Sequence, residues 1–264
     1  MPTLRLAALA FLLERDARAK ADGVRSWCLD AAEVDAKAAI ADPGGIPGRP
    51  DEPRLVEHTQ VKAGSVRTRE GRGALLHAIA HIELNAIDLA LDAVWRFPGL
   101  PEAYYRDWAG VAREEALHFT LLADHLAGIG YRYGDFPAHR TLWEMAEKTR
   151  GDVLARMALV PRTLEARGLD ASPAVKAKLL SAADFEGAAI IDRILADEVG
   201  HVAIGNRWYR WLCDRRGLDP LPTYADLARR FGAPRPRGPF NLAAREAAGF
   251  TLAELAALAE AGGS

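Results

Sequence analysis

The chain has 264 residues, half of them hydrophobic, and a formal net charge of −2. This length fits one large domain or two small ones, and it allows a sizeable core. The near-zero charge gives no electrostatic preference for nucleic acid or for an anionic membrane. Cys28 and Cys213 lie far apart and outside any metal-binding spacing, so we expect reduced thiols in a cytoplasmic protein.

The first forty residues or so predict two short helices. Leu6, Leu9 and Leu13 recur at helical spacing, so this apolar run is expected to pack as an amphipathic helix. The run is too short to span a membrane and lacks the features of a signal peptide. The stretch "DPGGIPGRPDEP" (42–53) is rich in proline and glycine and predicts a linker. We therefore expect a helical appendage over residues 1–41 and a linker over 42–69.

Residues 70–216 predict four long helices. Three cover about 70–96, 101–128 and 139–168, the third with an interruption at Pro161, and the fourth runs from Ser172 as its N-cap to about 215. No stretch has a convincing strand pattern, so the sequence predicts an all-α protein. Four helices of this length suit a four-helix bundle. Residues 217–264 predict shorter accessory helices.

The same short motif, Glu-x-x-His, occurs in two of these helices. Glu115 and His118 belong to "REEALHF", and Glu198 and His201 belong to "ADEVGHVAIG". At about 100° per residue, both members of each pair fall on one face of their helix, and that face is otherwise apolar. A charged carboxylate in an apolar face is costly unless it is paired or bound to a metal. The pattern therefore favours a metal site over a polar stripe.

Two residues near the second motif, and one within it, have expected supporting roles. Asp197 lies at the flank of the apolar face, where we expect it to hydrogen-bond either a ligand histidine of a neighbouring helix or an arginine. Gly200 and Gly205 are expected either to permit a close helix contact or to leave room near the site.

The first long helix supplies a lone acid. Glu83 lies among apolar residues, whereas His77 and His81 lie on the opposite, polar face. We expect these two histidines to be surface or supporting groups rather than ligands.

The third helix offers Glu165 as a further acid. Glu144 and Glu147 compete with it, and Pro161 bends the helix, so the pattern favours Glu165 only slightly.

Together these residues match the ligand set of two divalent metal ions: one Glu from each of two helices and one Glu-x-x-His from each of the other two. Four carboxylates neutralise two divalent ions, and one imidazole per metal leaves positions open for dioxygen or substrate. We expect two iron ions, with Fe/Mn or Mn/Mn as alternatives. The competing interpretation is that the motif residues form buried ion pairs with arginines. The predicted ligands are Glu83, Glu115, His118, Glu165, Glu198 and His201.

Long blocks of the chain resemble the domain of unknown function 455 (DUF455) family. They are "LLHAIAHIELNAIDLALDAVWRF", "REEALHFTLLADHL", "RMALVPRTLEARGLD" and "DEVGHVAIGNRWY", with "PGRP" and "YGDFPAH". The resemblance implies a ferritin-like four-helix bundle with a di-metal site, and it raises Glu165 above its competitors. The chain also distantly resembles the di-iron tRNA hydroxylase that acts on a modified adenosine. In the stretch "AHRTLWEMA", Arg140 and Thr141 depart from the acid and the glycine that the resemblance to the DUF455 family leads us to expect, which leaves access to the site and the substrate open.

These observations lead to three functional hypotheses. The first is a di-metal oxidoreductase of the hydroxylase or monooxygenase type. It would use O₂ or peroxide, an external electron donor and an unknown small-molecule or modified-nucleoside substrate. The second is an iron-binding or peroxide-handling ferritin-like protein without an organic substrate. The third is a metal-free helical interaction protein. We expect a cytoplasmic monomer or dimer without a membrane partner.

Overall fold

The computed structural model describes residues 2–29, 32–57, 60 and 64–262. Within them the regular structure is helical, and the only extended pairing is a parallel bridge between Leu55 and Ala138. The prediction of an all-α protein is therefore confirmed. The helices are α1 (Leu4–Leu13), α2 (Ala17–Arg25), α3 (Arg69–Arg96), α4 (Glu102–Gly128), α5 (Thr141–Lys148), α6 (Val153–Leu159), a π-helical turn (Val160–Glu165), α7 (Ala166–Ser181), α8 (Phe185–Arg215), α9 (Pro220–Phe231), α10 (Leu242–Ala247) and α11 (Leu252–Gly262).

The chain divides into two compact units. The first comprises residues 1–141 and 179–190, and the second comprises 142–178 and 191–264. Residues 58, 59 and 61–63 of the expected linker lie outside the described residues. Both cysteines are free thiols, as expected.

In the first unit, α3 and α4 pack against each other along their lengths, and both follow the predicted bounds within one residue. Thr68 caps α3, its side chain accepting a hydrogen bond from the Gly71 N–H. Among the described helices α3 alone is long and apolar enough to span a membrane, yet 72% of that stretch is buried inside the structure. This burial is typical of the core helix of a folded unit.

The N-terminal helices cover the polar face of α3. Helix α1 packs on α3 and α2 packs on α4. The buried ammonium of Lys20 lies 2.5 Å from the carboxylate of Asp88 on α3. The buried guanidinium of Arg5 donates to the carbonyls of Val94 and Trp95 at the end of that helix. The polar face of α3 is therefore interior, because α1 and α2 place cations against it.

The second unit breaks the predicted third helix into shorter pieces. Residues 149–152 separate α5 from α6, and the π-helical turn follows α6 directly. Pro161 lies in this turn, where its missing N–H cannot complete an α-helical ladder. The Thr163 hydroxyl donates to the carbonyl of Ala158, five residues earlier, as the wider π register allows.

The predicted start of the fourth helix is wrong. Ser172 and Pro173 lie inside α7, and the Ser172 hydroxyl donates to the Gly168 carbonyl rather than capping a new helix. Proline cannot donate to the Leu169 carbonyl, but the side-chain amide of Asn241 donates to that carbonyl instead. This tertiary contact offsets the lost bond and lets the helix continue.

Helix α8 begins at Phe185, so its N-cap position, Asp184, lies twelve residues after the predicted N-cap, Ser172. The Asp184 carboxylate accepts a hydrogen bond from the Gly187 N–H, as an N-cap does. The predicted end near residue 215 is confirmed, and so are the accessory helices, which are α9, α10 and α11.

Candidate metal centre

Three predicted ligands meet inside the first unit. Nδ1 of His118 lies 3.3 Å from a carboxylate oxygen of Glu83 and 3.3 Å from one of Glu115. One donor atom from each of the three residues lies within 4.8 Å of the other two. All three side chains are buried. The cluster therefore presents two carboxylates and one imidazole to a single point, which could hold a metal ion.

Helical spacing and packing produce this arrangement. Glu115 and His118 are one turn apart on α4, so their side chains emerge on the same face. Glu83 faces them from α3, the helix that packs along α4. The buried neighbours along α4 include Val111 and Phe119, so the acids are set in an apolar stripe, as the sequence predicts.

The pKa values of Glu83 and His118 are shifted far from those of exposed side chains. Burial and the negative charge of Glu115 raise the pKa of Glu83 to about 8. Burial by itself lowers the pKa of His118, but the carboxylates of Glu115 and Glu83 outweigh it and raise that pKa to about 11. At neutral pH the Glu83 carboxyl group is therefore mostly protonated, and the His118 imidazolium offsets the negative charge of Glu115. A divalent cation with oxygen and nitrogen ligands would serve the same purpose, so the donor set fits a metal.

The second unit holds the other Glu-x-x-His pair. Nδ1 of His201 lies 3.9 Å from a carboxylate oxygen of Glu198, and both residues are buried on α8. Glu165 is the last residue of the π-helical turn and is half-buried. Of its competitors on α5, Glu147 is exposed and Glu144 is half-buried. Exposure makes Glu147 the poorest of the three as a ligand.

The close contact expected of a glycine in this unit belongs to Gly205. A Cβ added to Gly205 would lie 2.5 Å from Cβ of Pro161, so this glycine lets α8 approach the turn that carries Glu165. A Cβ added to Gly200 would have no neighbouring atom within 4 Å, and Gly200 is exposed. Asp197 accepts a hydrogen bond from the Arg193 guanidinium, which is the arginine alternative.

A buried histidine network on α3 was not predicted from the sequence. His77 and His81 are fully or almost fully buried rather than at the surface. The Tyr133 hydroxyl donates to Nδ1 of His81 at 2.7 Å, and Nε2 of His81 donates to the His139 carbonyl at 2.8 Å. Nε2 of His77 accepts the Gly134 N–H. Burial lowers the pKa of each of these two histidines to about 4, so both are neutral at pH 7.

A sequence signal for this network exists. His77, His81 and Asn85 recur every four residues along α3, which marks a coherent face. The pattern does not say whether water or protein covers that face. The covering residues come from a loop about fifty positions later, beyond the reach of helical periodicity.

Fold and site together define an all-helical protein with buried carboxylate and histidine groups that could bind metal. The chain belongs to the DUF455 family of proteins of unknown function, whose model matches residues 13–256. An uncharacterized protein of Haemophilus influenzae is 48% identical over 223 residues, which cover 82% of this chain and 77% of that protein. No solved structure matches the chain.

Proposed function

We propose that this protein is a ferritin-like di-metal carboxylate protein that activates O₂ or peroxide to oxidise a substrate. The observation that carries the proposal is the buried cluster of Glu83, Glu115 and His118 in the first unit. In the proposal these residues bind one metal ion. Glu165, Glu198 and His201 of the second unit bind the other.

The donor chemistry supports iron as the metal. Carboxylate oxygens are hard ligands that suit both ferrous and ferric iron, and imidazole suits iron and manganese as well. Two iron ions are the first choice, with Fe/Mn or Mn/Mn as alternatives. Bound iron in its reduced state would supply the electrons that activate O₂ or peroxide. Because no flavin-binding or nucleotide-binding motif stands out in the sequence, we assign the supply of electrons to an external donor.

The chain's own residues provide the setting for this chemistry. His118 lies beside the carboxyl groups of Glu83 and Glu115, and the protons held by His118 and Glu83 must leave when a metal cation binds these residues. The apolar neighbours of Glu115 on α4, among them Phe119 and Leu122, exclude bulk water from the cluster. Exclusion of water protects a reactive oxidant from side reactions and strengthens the local electrostatics.

Metal analysis of the full-length protein tests whether the proposed ligands bind two metal ions. We expect close to two equivalents of iron or manganese per chain in protein purified without chelators. Glu115→Gln and His118→Ala should each lose at least one equivalent. Glu114→Gln is the matched control, because Glu114 is adjacent on α4 but exposed. The metal-binding proposal is wrong if the two ligand variants fold with helical content equal to the parent and retain as much metal.

An anaerobic iron titration followed by addition of oxygen tests whether the bound metal activates O₂. A coupled di-ferric signature by Mössbauer spectroscopy would support two iron ions acting together. Organic oxidation is then distinguished from iron or peroxide handling by the fate of the oxidant. Peroxide consumption without any oxidised product, or assembly into a large shell on gel filtration, would favour iron binding or peroxide handling without an organic substrate. For a modified-nucleoside substrate, a deletion strain should lose one modified nucleoside from its tRNA, and an unchanged profile would reject that substrate.

A further inference from the structure

The second unit contains a cavity of about 640 Å³ that the proposed metal chemistry does not use. Residues of α9, of the loop 232–241, of α11 and of the start of α7 line it. Cavities of roughly 300–1,000 Å³ hold small molecules in other proteins. Half-buried apolar side chains, among them Tyr224, Phe240, Phe250 and Leu258, supply much of its wall. The cavity therefore offers room for the apolar body of a ligand.

Positive charge dominates the polar part of this wall. Among the described residues that line the cavity, six are arginines and two are acidic. Both acids already have partners, because Asp170 pairs with Arg245 and Glu254 pairs with Arg162. Arg162 is 3% exposed, and its Nη1 forms no hydrogen bond within the described residues. The two ion pairs thus leave the remaining arginines without acidic residues of the lining to neutralise them.

Three of those arginines have no carboxylate partner in the part of the chain that the structure describes. They are Arg167 at the start of α7, and Arg235 and Arg237 in the proline-rich loop, and all three are exposed. Arg229 differs, because it pairs with Asp226 on its own helix. The guanidinium group is planar and presents paired N–H donors that match the oxygens of a carboxylate or a phosphate. An apolar cavity bordered by such groups is complementary to an anion with a hydrocarbon or aromatic body.

We propose that this cavity binds a small amphipathic anion. Its apolar part lies between α9 and α11, and its carboxylate or phosphate contacts Arg167, Arg235 and Arg237. Apolar burial supplies the affinity, and the arginines select the charge of the head group. The proposal does not depend on the metal site, so each can fail without the other.

Calorimetric titration of the full-length protein with dodecyl ligands below their micelle concentrations tests the proposal. We expect saturable binding of dodecanoate or of dodecyl phosphate at about one per chain. The tighter of the two identifies the head group. Dodecyltrimethylammonium has the same chain and the opposite charge, so it should bind at least about tenfold more weakly. Absence of saturable binding of both anions, or equal binding of the cation, would overturn the proposal.

A triple variant locates the site. Arg167→Gln, Arg235→Gln and Arg237→Gln combined should weaken binding of the anion by about tenfold or more. Arg230→Gln is the matched control, because Arg230 is an exposed arginine of α9 outside the cavity lining. Both variants should keep the metal content and helical content of the parent. Unchanged affinity in the triple variant would show that the anion binds elsewhere and would refute the assignment.

Discussion

Replacement of Gly205 by alanine tests how the second unit positions Glu165. The added Cβ would lie 2.5 Å from Cβ and 2.7 Å from Cγ of Pro161. Carbon atoms in contact prefer separations of about 3.5–4.0 Å, so the overlap is roughly 1 Å. A proline ring cannot rotate away, so α8 or the π-helical turn must shift. Because Glu165 ends that turn, the shift is expected to displace a proposed ligand as well.

Two opposing contributions determine how Gly205→Ala changes the free energy of unfolding. Overpacking of a buried position costs about 1–3 kcal/mol. Alanine in place of glycine inside a helix contributes about 0.5–1 kcal/mol in the other direction. Gly200→Ala receives only the second contribution, because that position is exposed and has nothing within 4 Å. The difference between the two variants therefore isolates the steric cost, about 1–3 kcal/mol.

Urea unfolding followed by circular dichroism measures this difference. Gly205→Ala should unfold at lower urea than the parent or close to it, and Gly200→Ala at higher urea, with similar slopes. Metal analysis of the same preparations should show reduced occupancy in Gly205→Ala alone. If Gly205→Ala proves as stable as Gly200→Ala, the close approach of α8 to Pro161 does not exist in solution.

Two further predictions concern the interior of the first unit. Lys20→Met should reduce the free energy of unfolding by ~3–5 kcal/mol because it leaves the buried Asp88 without its ion-pair partner. The double variant Lys20→Met with Asp88→Leu should recover most of that loss in the same urea assay, and no recovery would mean that the pair is not the cause. Burial lowers the pKa of His77 from 6.5 to about 4. The contribution of neutral His77 to stability is therefore fully present above pH 6.5. It is lost as the pH falls toward 4, because the unfolded chain then binds a proton that the folded chain does not. His77→Gln cannot titrate, so it should flatten the pH dependence of stability in that window by ~3 kcal/mol at most; an equally steep profile would contradict the burial of a neutral His77.

Several parts of the protein follow from the sequence because their causes are local. Helical periodicity places α3 and α4 within one residue of their observed bounds. The three-residue spacing of Glu115 and His118 puts both side chains on one helix face, whatever that face packs against. The apolar neighbours of Glu83 on α3 indicate that this acid points toward the core, and the structure buries it. Each of these conclusions depends on residues within a turn or two of the position in question.

Other features depend on residues that are distant in the chain, so only the tertiary structure decides them. The face of His77 and Asp88 is buried because α1, α2 and the Tyr133 loop cover it, although polar periodicity alone suggests a solvated surface. Helix α7 continues through Pro173 because Asn241 satisfies a carbonyl that proline leaves without a helical partner.

The π-helical turn is the clearest case for the site itself. It changes the rotation per residue just before Glu165, so an angle calculated for an ideal α-helix does not apply to this side chain. The sequence by itself therefore determined which residue types carry the chemistry and which helices carry most of them. The tertiary structure decided which polar groups are interior and where the irregular turn places the last acid, because both depend on contacts between segments far apart in sequence.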